Sequence, residues 1–452
     1  MSLTRRAFLA GGAAAAAGGA GIYALVDRLA GRAPKRPSAH LRPEQHLLDG
    51  VRVVAEDGVE VIVPPLHHQV VTARVAVDRA DLRDAQRVLE RALAGLEADY
   101  PPSPAGLGIT VAWGLPYFER LVPDAARRLL PHDRRADAPV LLPARRFPSD
   151  PAETVLERND VAVLLRSDVL AHVEDAVARV LGTSVLQPTS RRDGFAGGGF
   201  EGTRSLPKQM AMAAGVPGAD LIPDTAELFL GFTSTQRGAM GAGRIANFET
   251  LGLVDLRGSD YFAHGTHLHL SHVTEDLEAW YVNFDFDERV TTAFRPGLSV
   301  PASVQTVEMG PKQAQTSADV EREYRRSGRI GHSGAIQVTS RLPHDVVGPD
   351  GTRYPKGAAI PIRADFNTLD NPFAWPDAGE GPAAGVHFLS FNPSSDDFAR
   401  NRLAMDGVFP GMTIPLPPRD RNQGFNSILR TTHRQNFLVP PRRHRSFPLA
   451  EL

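Results

Sequence analysis

The chain has no cysteine, and this absence removes several kinds of site at once. Without thiols the protein has no disulfides, thiolate-bound metals, iron–sulfur clusters or cysteine nucleophiles. It also lacks an excess of either charge, because 50 Lys and Arg residues balance 52 Asp and Glu residues to a formal net charge of -2. This balance gives no reason to expect binding to nucleic acid. We therefore expect function to depend on a local site, where any metal is bound by histidine, by carboxylates or within a cofactor.

The N-terminus has the features of an export signal. Arg5 and Arg6 precede a Phe-Leu pair, and a weakly apolar run rich in Ala and Gly continues to residues 22–26. Adjacent arginines before such a run are typical of the twin-arginine pathway, which carries folded proteins and so favours a cofactor. We expect residues 1–33 to be this signal, the twin-arginine translocase to be a partner, and the protein to be periplasmic or extracellular. The alternative is an uncleaved signal that stays as a membrane anchor.

Hydrophobic periodicity divides the rest of the chain into two α+β halves. After a linker and N-terminal arm at 34–68, the first half covers residues 69–210 and the second covers 211–452. In the first half we expect strands at 70–77, 108–113 and 160–165, and helices at 82–96 and 170–181. This is the element order of a ferredoxin-like unit. The second half repeats it more loosely, with strands at 266–270 and 386–391, a helix from 275 to 281, and a long polar loop region at 289–329.

Six segments of the chain are informative because of the order in which they occur. They are residues 108–114, 142–150, 159–168, 227–232, 265–280 and 430–441. In this order they resemble the dye-decolourising peroxidase family over nearly the whole mature chain. The resemblance implies two ferredoxin-like domains with antiparallel sheets packed together, an arrangement shared with chlorite-dismutase-like proteins. It also implies one haem b in the second half and peroxide-driven oxidation of an aromatic or dye-like reductant.

The family signature is Gly-x-x-Asp-Gly, and its Asp helps to move a proton of the peroxide above the haem. The matching stretch here is residues 198–202, in which Glu201 takes the place of the Asp. A carboxylate at this point has the chemistry needed to accept and return a proton. The alternative is a surface carboxylate in a glycine-rich turn. Asp193 belongs to a second Asp-Gly pair slightly upstream.

The resemblance places the iron ligand at His332, in the run Arg-Ile-Gly-His-Ser-Gly. An imidazole whose second nitrogen donates to a carboxylate or carbonyl is the usual ligand of peroxidase haem. The segment 360–366 resembles the part of the family that carries the distal arginine, which matches Arg363. Its guanidinium would polarise the peroxide bond or bind a haem propionate. The alternatives are a structural histidine and an ordinary surface arginine.

Two further sets of residues are candidates for the site. Phe388 and Phe391, on the apolar strand 386–391, would form a hydrophobic wall next to the haem, although apolar residues on a strand are more often core. The histidines at 264, 267, 269 and 272 form a visible cluster, which we interpret as a solvated or edge-facing stripe instead of a metal site.

Two other functions compete with a peroxidase that uses hydrogen peroxide and a small-molecule reductant. The replacement of Asp by Glu201 is compatible with a protein that binds or delivers haem and has little peroxidase activity. A protein that kept the fold and lost the haem would act as an exported binding module. Whether the chain forms a homo-oligomer is left open by the sequence.

Overall fold

The computed structural model describes most of the chain. The described residues are 21–30, 41–56, 59–196, 204–232, 247–251, 254, 256, 260–300, 316–348, 351–375, 379 and 381–452. The paired arginines of the predicted signal and Glu201 lie outside these ranges. Among the described helices, none has the length and apolar character needed to cross a bilayer.

The first half forms a ferredoxin-like unit, as the periodicity predicts. A short hairpin of β1 (Arg52–Glu56) and β2 (Val59–Val63) precedes it. The unit itself runs through β3 (His67–Val75), α2 (Leu82–Asp99), β4 (Gly108–Gly114), α3 (Leu115–Leu121), α4 (Pro123–Leu129), β5 (His132–Asp133), β6 (Ala138–Pro139), β7 (Val155–Leu156), β8 (Val161–Ser167), α5 (Leu170–Gly182) and β9 (Leu186–Phe195).

The second half contains a second ferredoxin-like unit with more helices. A helix α6 (Leu206–Ala214) joins the halves. The unit then runs through β10 (Thr266–Glu275), α7 (Leu277–Asn283), α8 (Phe286–Ala293), α9 (Ser317–Ser327), α10 (His332–Ser340), β11 (Val346–Val347), β12 (Arg353–Tyr354), β13 (Ile362–Arg363), β14 (Phe366–Thr368), β15 (Gly385–Asn392), α11 (Ser395–Met405), β16 (Val408–Phe409), β17 (Met412–Thr413) and β18 (Leu429–Val439).

The two sheets join into one antiparallel ring of eight strands. Its order is β10-β15-β14-β9-β3-β8-β4-β18, and β18 pairs back to β10. The halves meet at two joints: Asn367 pairs with Phe195, and Phe437 with Leu438 pairs with the end of β4. The two sheets face each other across an apolar interior, and helices cover their outer faces. This arrangement confirms the predicted fold class of two ferredoxin-like domains with antiparallel sheets packed together.

The interpretation of the histidine stripe as solvated was wrong for three of its four members. His264 is exposed, but His267, His269 and His272 are between 0% and 1% exposed, because β10 lies between β15 and β18. Nδ1 of His269 lies 2.7 Å from the side-chain oxygen of Asn436, and Nδ1 of His272 lies 2.6 Å from a Thr432 hydroxyl. These three histidines are therefore a buried polar part of the sheet, and no metal-binding cluster occurs in the described ranges.

Two other segments are more ordered than expected. Residues 289–329, read as a polar loop region, contain the end of α8 and all of α9. The helix α1 (Leu25–Ala30) and the turn before it pack on the fold through Ile22, Tyr23 and Val26, which are 0% to 6% exposed. The Tyr23 hydroxyl donates a hydrogen bond to Oδ1 of Asp370 at 2.8 Å. Part of the segment 1–33 is thus bound to the body of the protein.

Candidate functional site

A large cavity lies on the outer face of the second sheet, below the helices of the second half. Its empty volume is about 1660 Å³ counted to its open mouth. Apolar side chains line much of it, namely Leu228, Leu230, Phe232, Val273, Phe294, Ile336, Phe388, Met405, Phe425 and Leu429.

One wall of the cavity is the sheet itself. Successive side chains on a strand point to opposite faces, so every second residue reaches the cavity. On β10 these are Ser271, Val273 and Glu275, and on β15 they are Val386, Phe388 and Ser390. On the segment 362–368, which runs from β13 into β14, they are Arg363, Asp365 and Asn367. The intervening residues face the interior of the ring, so the wall combines these polar side chains with Val273, Val386 and Phe388.

The opposite wall is helical and carries His332. This residue begins α10, directly after Gly331. A Cβ at Gly331 would collide with the carbonyl oxygen of Phe294, so only glycine permits this close approach to the end of α8. The amide of Gly334 donates to the same carbonyl oxygen at 2.8 Å. These contacts fix the first turn of α10 and hold the imidazole at the cavity, where it lies 4.6 Å from the Phe425 ring.

The surroundings of His332 keep its imidazole neutral. Burial, and then the positive charges of Arg363 and Arg402, lower its pKa to about 3. The influence of Arg363 reflects its position on the sheet wall of the same cavity. Nδ1 of His332 is buried and has no hydrogen-bond partner among the described residues. A neutral imidazole with an unused nitrogen is the form that binds a metal.

Arginines supply the positive charge of the cavity. Arg363 comes from β13, Arg402 from α11 and Arg434 from β18. Arg434 donates to Oδ1 of Asp150 at 2.6 Å, and Arg402 donates to Oδ2 of Asp406 at 2.9 Å. Burial lowers the pKa of Arg434 to about 10, which leaves it charged at neutral pH. The cavity is therefore suited to a ligand that has both an apolar surface and negative groups.

Two carboxyl groups reach the cavity from the sheet wall. Glu275 ends β10, and its Oε2 is buried without a hydrogen-bond partner in the described part of the chain. Burial and then the charge of Asp365 raise the pKa of Glu275 to about 8. Glu275 is consequently protonated at neutral pH and acts as a neutral group. Asp365 lies two residues after Arg363 and faces the same space.

The structure brings together three of the five predicted site residues. His332, Arg363 and Phe388 all line the cavity. Phe391 does not, because it is three residues beyond Phe388 on β15 and faces the other side of the sheet. It is 0% exposed in the interior of the ring, 4.9 Å from the His46 ring. Glu201 lies outside the described residues.

Sequence reasoning missed several residues that line the cavity. Asp365 is two residues after Arg363, and Glu275 is four residues after Ser271 on the same strand. The alternation of side chains along a strand could therefore have indicated that they face the same way. No comparable signal marked Arg402 and Arg434. Each comes from an element far along the chain, and its place depends on how α11 and β18 pack.

The residues present fit a haem group. A planar tetrapyrrole needs a slot with one wall that offers an imidazole and another that offers polar groups, and His332 and Arg363 meet this need. Its apolar edges would contact Phe388 and Phe425, and its propionates require positive charge, which Arg402 and Arg434 supply. One departure from the usual pattern is that no described carboxylate or carbonyl accepts a hydrogen bond from Nδ1 of His332.

Comparison with known proteins supports the fold and leaves the activity open. The model of a family described as a family of unknown function, DUF7405, matches residues 65–441. No curated protein matches the sequence. A variant of DypB from Rhodococcus jostii RHA1, solved in complex with heme, is 13% identical with a TM-score of 0.52, over 85% of this chain and 95% of that chain. A second variant of that protein with heme is 14% identical with a TM-score of 0.51, over 85% and 96%. A dye-decolorizing protein from V. cholerae is 14% identical with a TM-score of 0.48, over 85% and 96%.

Proposed function

The chain belongs to the DUF7405 family, whose function is unknown, and we propose that it is a haem-dependent peroxidase of the dye-decolourising type. The observation that carries the proposal is that His332, from α10, and Arg363, from β13, line the same cavity. The resemblance in sequence order and the fold shared with DypB support it.

Three residues of the cavity have a part in the proposed reaction. When bound, haem b would supply the iron and the redox capacity for peroxide-driven oxidation of aromatic reductants. His332 would bind the iron through its neutral imidazole. The guanidinium of Arg363 would stabilise negative charge that develops on peroxide oxygen. Phe388 would exclude water from the wall next to Arg363. We propose Glu201 as a further proton-transfer residue.

A haemin titration tests the proposal. We expect the haem-free protein to bind haemin with a Soret band typical of axial histidine. His332→Ala should raise the Kd about 100-fold or more, which corresponds to about 2.7 kcal/mol. His344→Ala is the matched control, because His344 is exposed and lies on the loop after α10. Equal affinity of the wild type and His332→Ala for haemin would contradict the assignment.

A second function is favoured by one observation. Among the described residues, Nδ1 of His332 has no partner for the hydrogen bond that makes a metal-bound imidazole more basic. A protein of this kind could bind or deliver haem with weak turnover. Oxidation of a dye by peroxide separates the two, since a haem-handling protein would bind haemin tightly and yet oxidise the dye no faster than free haemin.

We also propose that the protein is exported by the twin-arginine translocase and acts outside the cytoplasm. The support is the arginine pair followed by the weakly apolar run near the N-terminus. Replacement of Arg5 and Arg6 by lysine should retain the protein in the cytoplasm, as measured by cell fractionation. Export of the doubly substituted protein at the wild-type level would argue against this route.

A further inference from the structure

The sheet wall of the cavity has an ordered arrangement of side chains. Strand pairing places Arg363 beside Ser390 and Asn367 beside Val386. Asp365 lies halfway between Arg363 and Asn367, and it faces the cavity as they do. The wall therefore presents a carboxylate next to an arginine, and both lie across the cavity from the helix that begins with His332.

We propose that Asp365 is the proton-accepting carboxylate of this wall and acts beside Arg363. The inference rests on the proposed peroxidase function. It assigns a role to a residue that the signature motif does not contain, since the signature ends at Gly202 and Asp365 lies on the short link between β13 and β14.

The proton balance of the proposed step is closed. A hydrogen peroxide molecule that enters the cavity transfers one proton from its O–H bond to the Asp365 carboxylate and becomes the hydroperoxide anion. Arg363 lines the same wall two residues away and would stabilise this anion. Asp365 would later return the same proton to the oxygen that leaves as water when the O–O bond breaks. The carboxylate would be unchanged at the end, and the haem of the proposed function would supply the two electrons for this cleavage and accept the remaining oxygen atom.

Asp365 is better suited to this role than the other carboxyl on the wall. Glu275 lies beyond the end of the β10–β15 pairing and has an oxygen buried without a described partner. Its raised pKa, about 8, keeps it protonated at neutral pH, so it has no free carboxylate with which to accept a proton. The other charged or titratable groups that line the cavity in the described ranges are His332 on α10, Arg363 on β13, Arg402 on α11 and Arg434 on β18.

The test measures ligand binding to the haem-loaded protein and needs no turnover. Hydrogen cyanide is a weak acid that must lose its proton to bind ferric haem as cyanide, so a proton-accepting residue accelerates its association. We expect Asp365→Asn to slow cyanide association about tenfold or more at pH 7. Asp365→Glu should recover part of the rate, because it restores a carboxylate. The matched control Asp345→Asn, at an exposed residue outside the cavity, should stay within about twofold of the wild type, and Glu201→Gln is measured beside it.

The outcomes separate this inference from the proposed function. A slow Glu201→Gln variant beside an unaffected Asp365→Asn variant would overturn the inference and leave the peroxidase proposal intact. Unchanged rates in both variants would overturn it as well. If the wild type fails to bind haemin, the peroxidase proposal fails first and the inference with it. Haemin affinity and thermal melting of Asp365→Asn serve as folding controls, and both should match the wild type, since the two side chains have the same shape.

Discussion

The two sheets belong to similar ferredoxin-like units, but their outer faces differ. Helices pack directly on the first face, whereas a cavity lies over the second. On the first sheet, α2 packs directly on the strands, and its Leu89, Leu93 and Leu96 are 0% exposed. On the second sheet, the corresponding face carries polar side chains such as Arg363 and Asp365, and a cavity of about 1660 Å³ separates it from the helices. The comparison teaches that the helix layer closes on the apolar face of the first sheet and leaves a space over the second face, where charged side chains stand among apolar ones.

The helices themselves explain part of the difference. α2 presents a continuous apolar stripe, because its leucines recur at helical spacing. By contrast, α11 buries Ser395, Asp397 and Arg402 along with one Phe and one Ala. Such a helix gains less from contact with the sheet, since each buried polar group must keep a hydrogen-bond partner. The second half thus has a cavity where the first has a core.

The largest expected contrast comes from matched leucine truncations in the haem-free protein. Leu93→Ala removes a side chain from the closed core of the first half and should lower the free energy of unfolding by about 2–5 kcal/mol. Leu228→Ala removes one that lines the cavity and is partly exposed, so the loss should stay below about 1.5 kcal/mol. Urea denaturation measures both. Equal losses would show that the second face is as tightly packed as the first.

A second matched pair of substitutions enlarges a side chain on each sheet instead of shortening it. Val163→Phe inserts a ring into the packed face of the first sheet and should cost about 1–3 kcal/mol of stability. Val386→Phe places the same ring in the cavity and should cost less than about 1 kcal/mol, because the space to hold it exists. The second variant should instead weaken haemin binding, which a titration measures. A strongly destabilised Val386→Phe protein would contradict the open cavity.

The sequence predicted the two halves by different kinds of information. The helix at 82–96 and the strand at 108–113 were confirmed, since apolar side chains at a regular spacing determine both the element and the buried face. In the second half, the resemblance to a known family placed His332, Arg363 and Phe388, and the structure brings them to one cavity.

The remaining residues depended on information that periodicity alone does not contain. Phe391 was grouped with Phe388, although an offset of three residues on a strand puts the two on opposite faces. The burial of His269 depends on Asn436 and on the ring closure by β18, both far along the chain. The contributions of Arg402 and Arg434 to the cavity likewise arise only when α11 and β18 pack beside each other.

The last expected effect is spread over several pH units and concerns the titration of Glu275 on the open face. Because the pKa of Glu275 is about 8 in the folded protein and near its ordinary value when unfolded, the folded state binds the extra proton between about pH 4.5 and 8. Stability contributed by this group is therefore complete below pH 4.5 and falls as the pH rises towards 8, by up to about 1.4 kcal/mol per pH unit. Glu275→Gln should flatten that slope in the haem-free protein, as measured by urea denaturation across this range. Glu278→Gln is the control, since Glu278 is exposed on α7, and it should leave the slope unchanged. If the free energy of unfolding of Glu275→Gln had the same pH dependence as the wild type, the cavity wall would not bury this carboxyl. The two faces would then not differ in burying a titratable group.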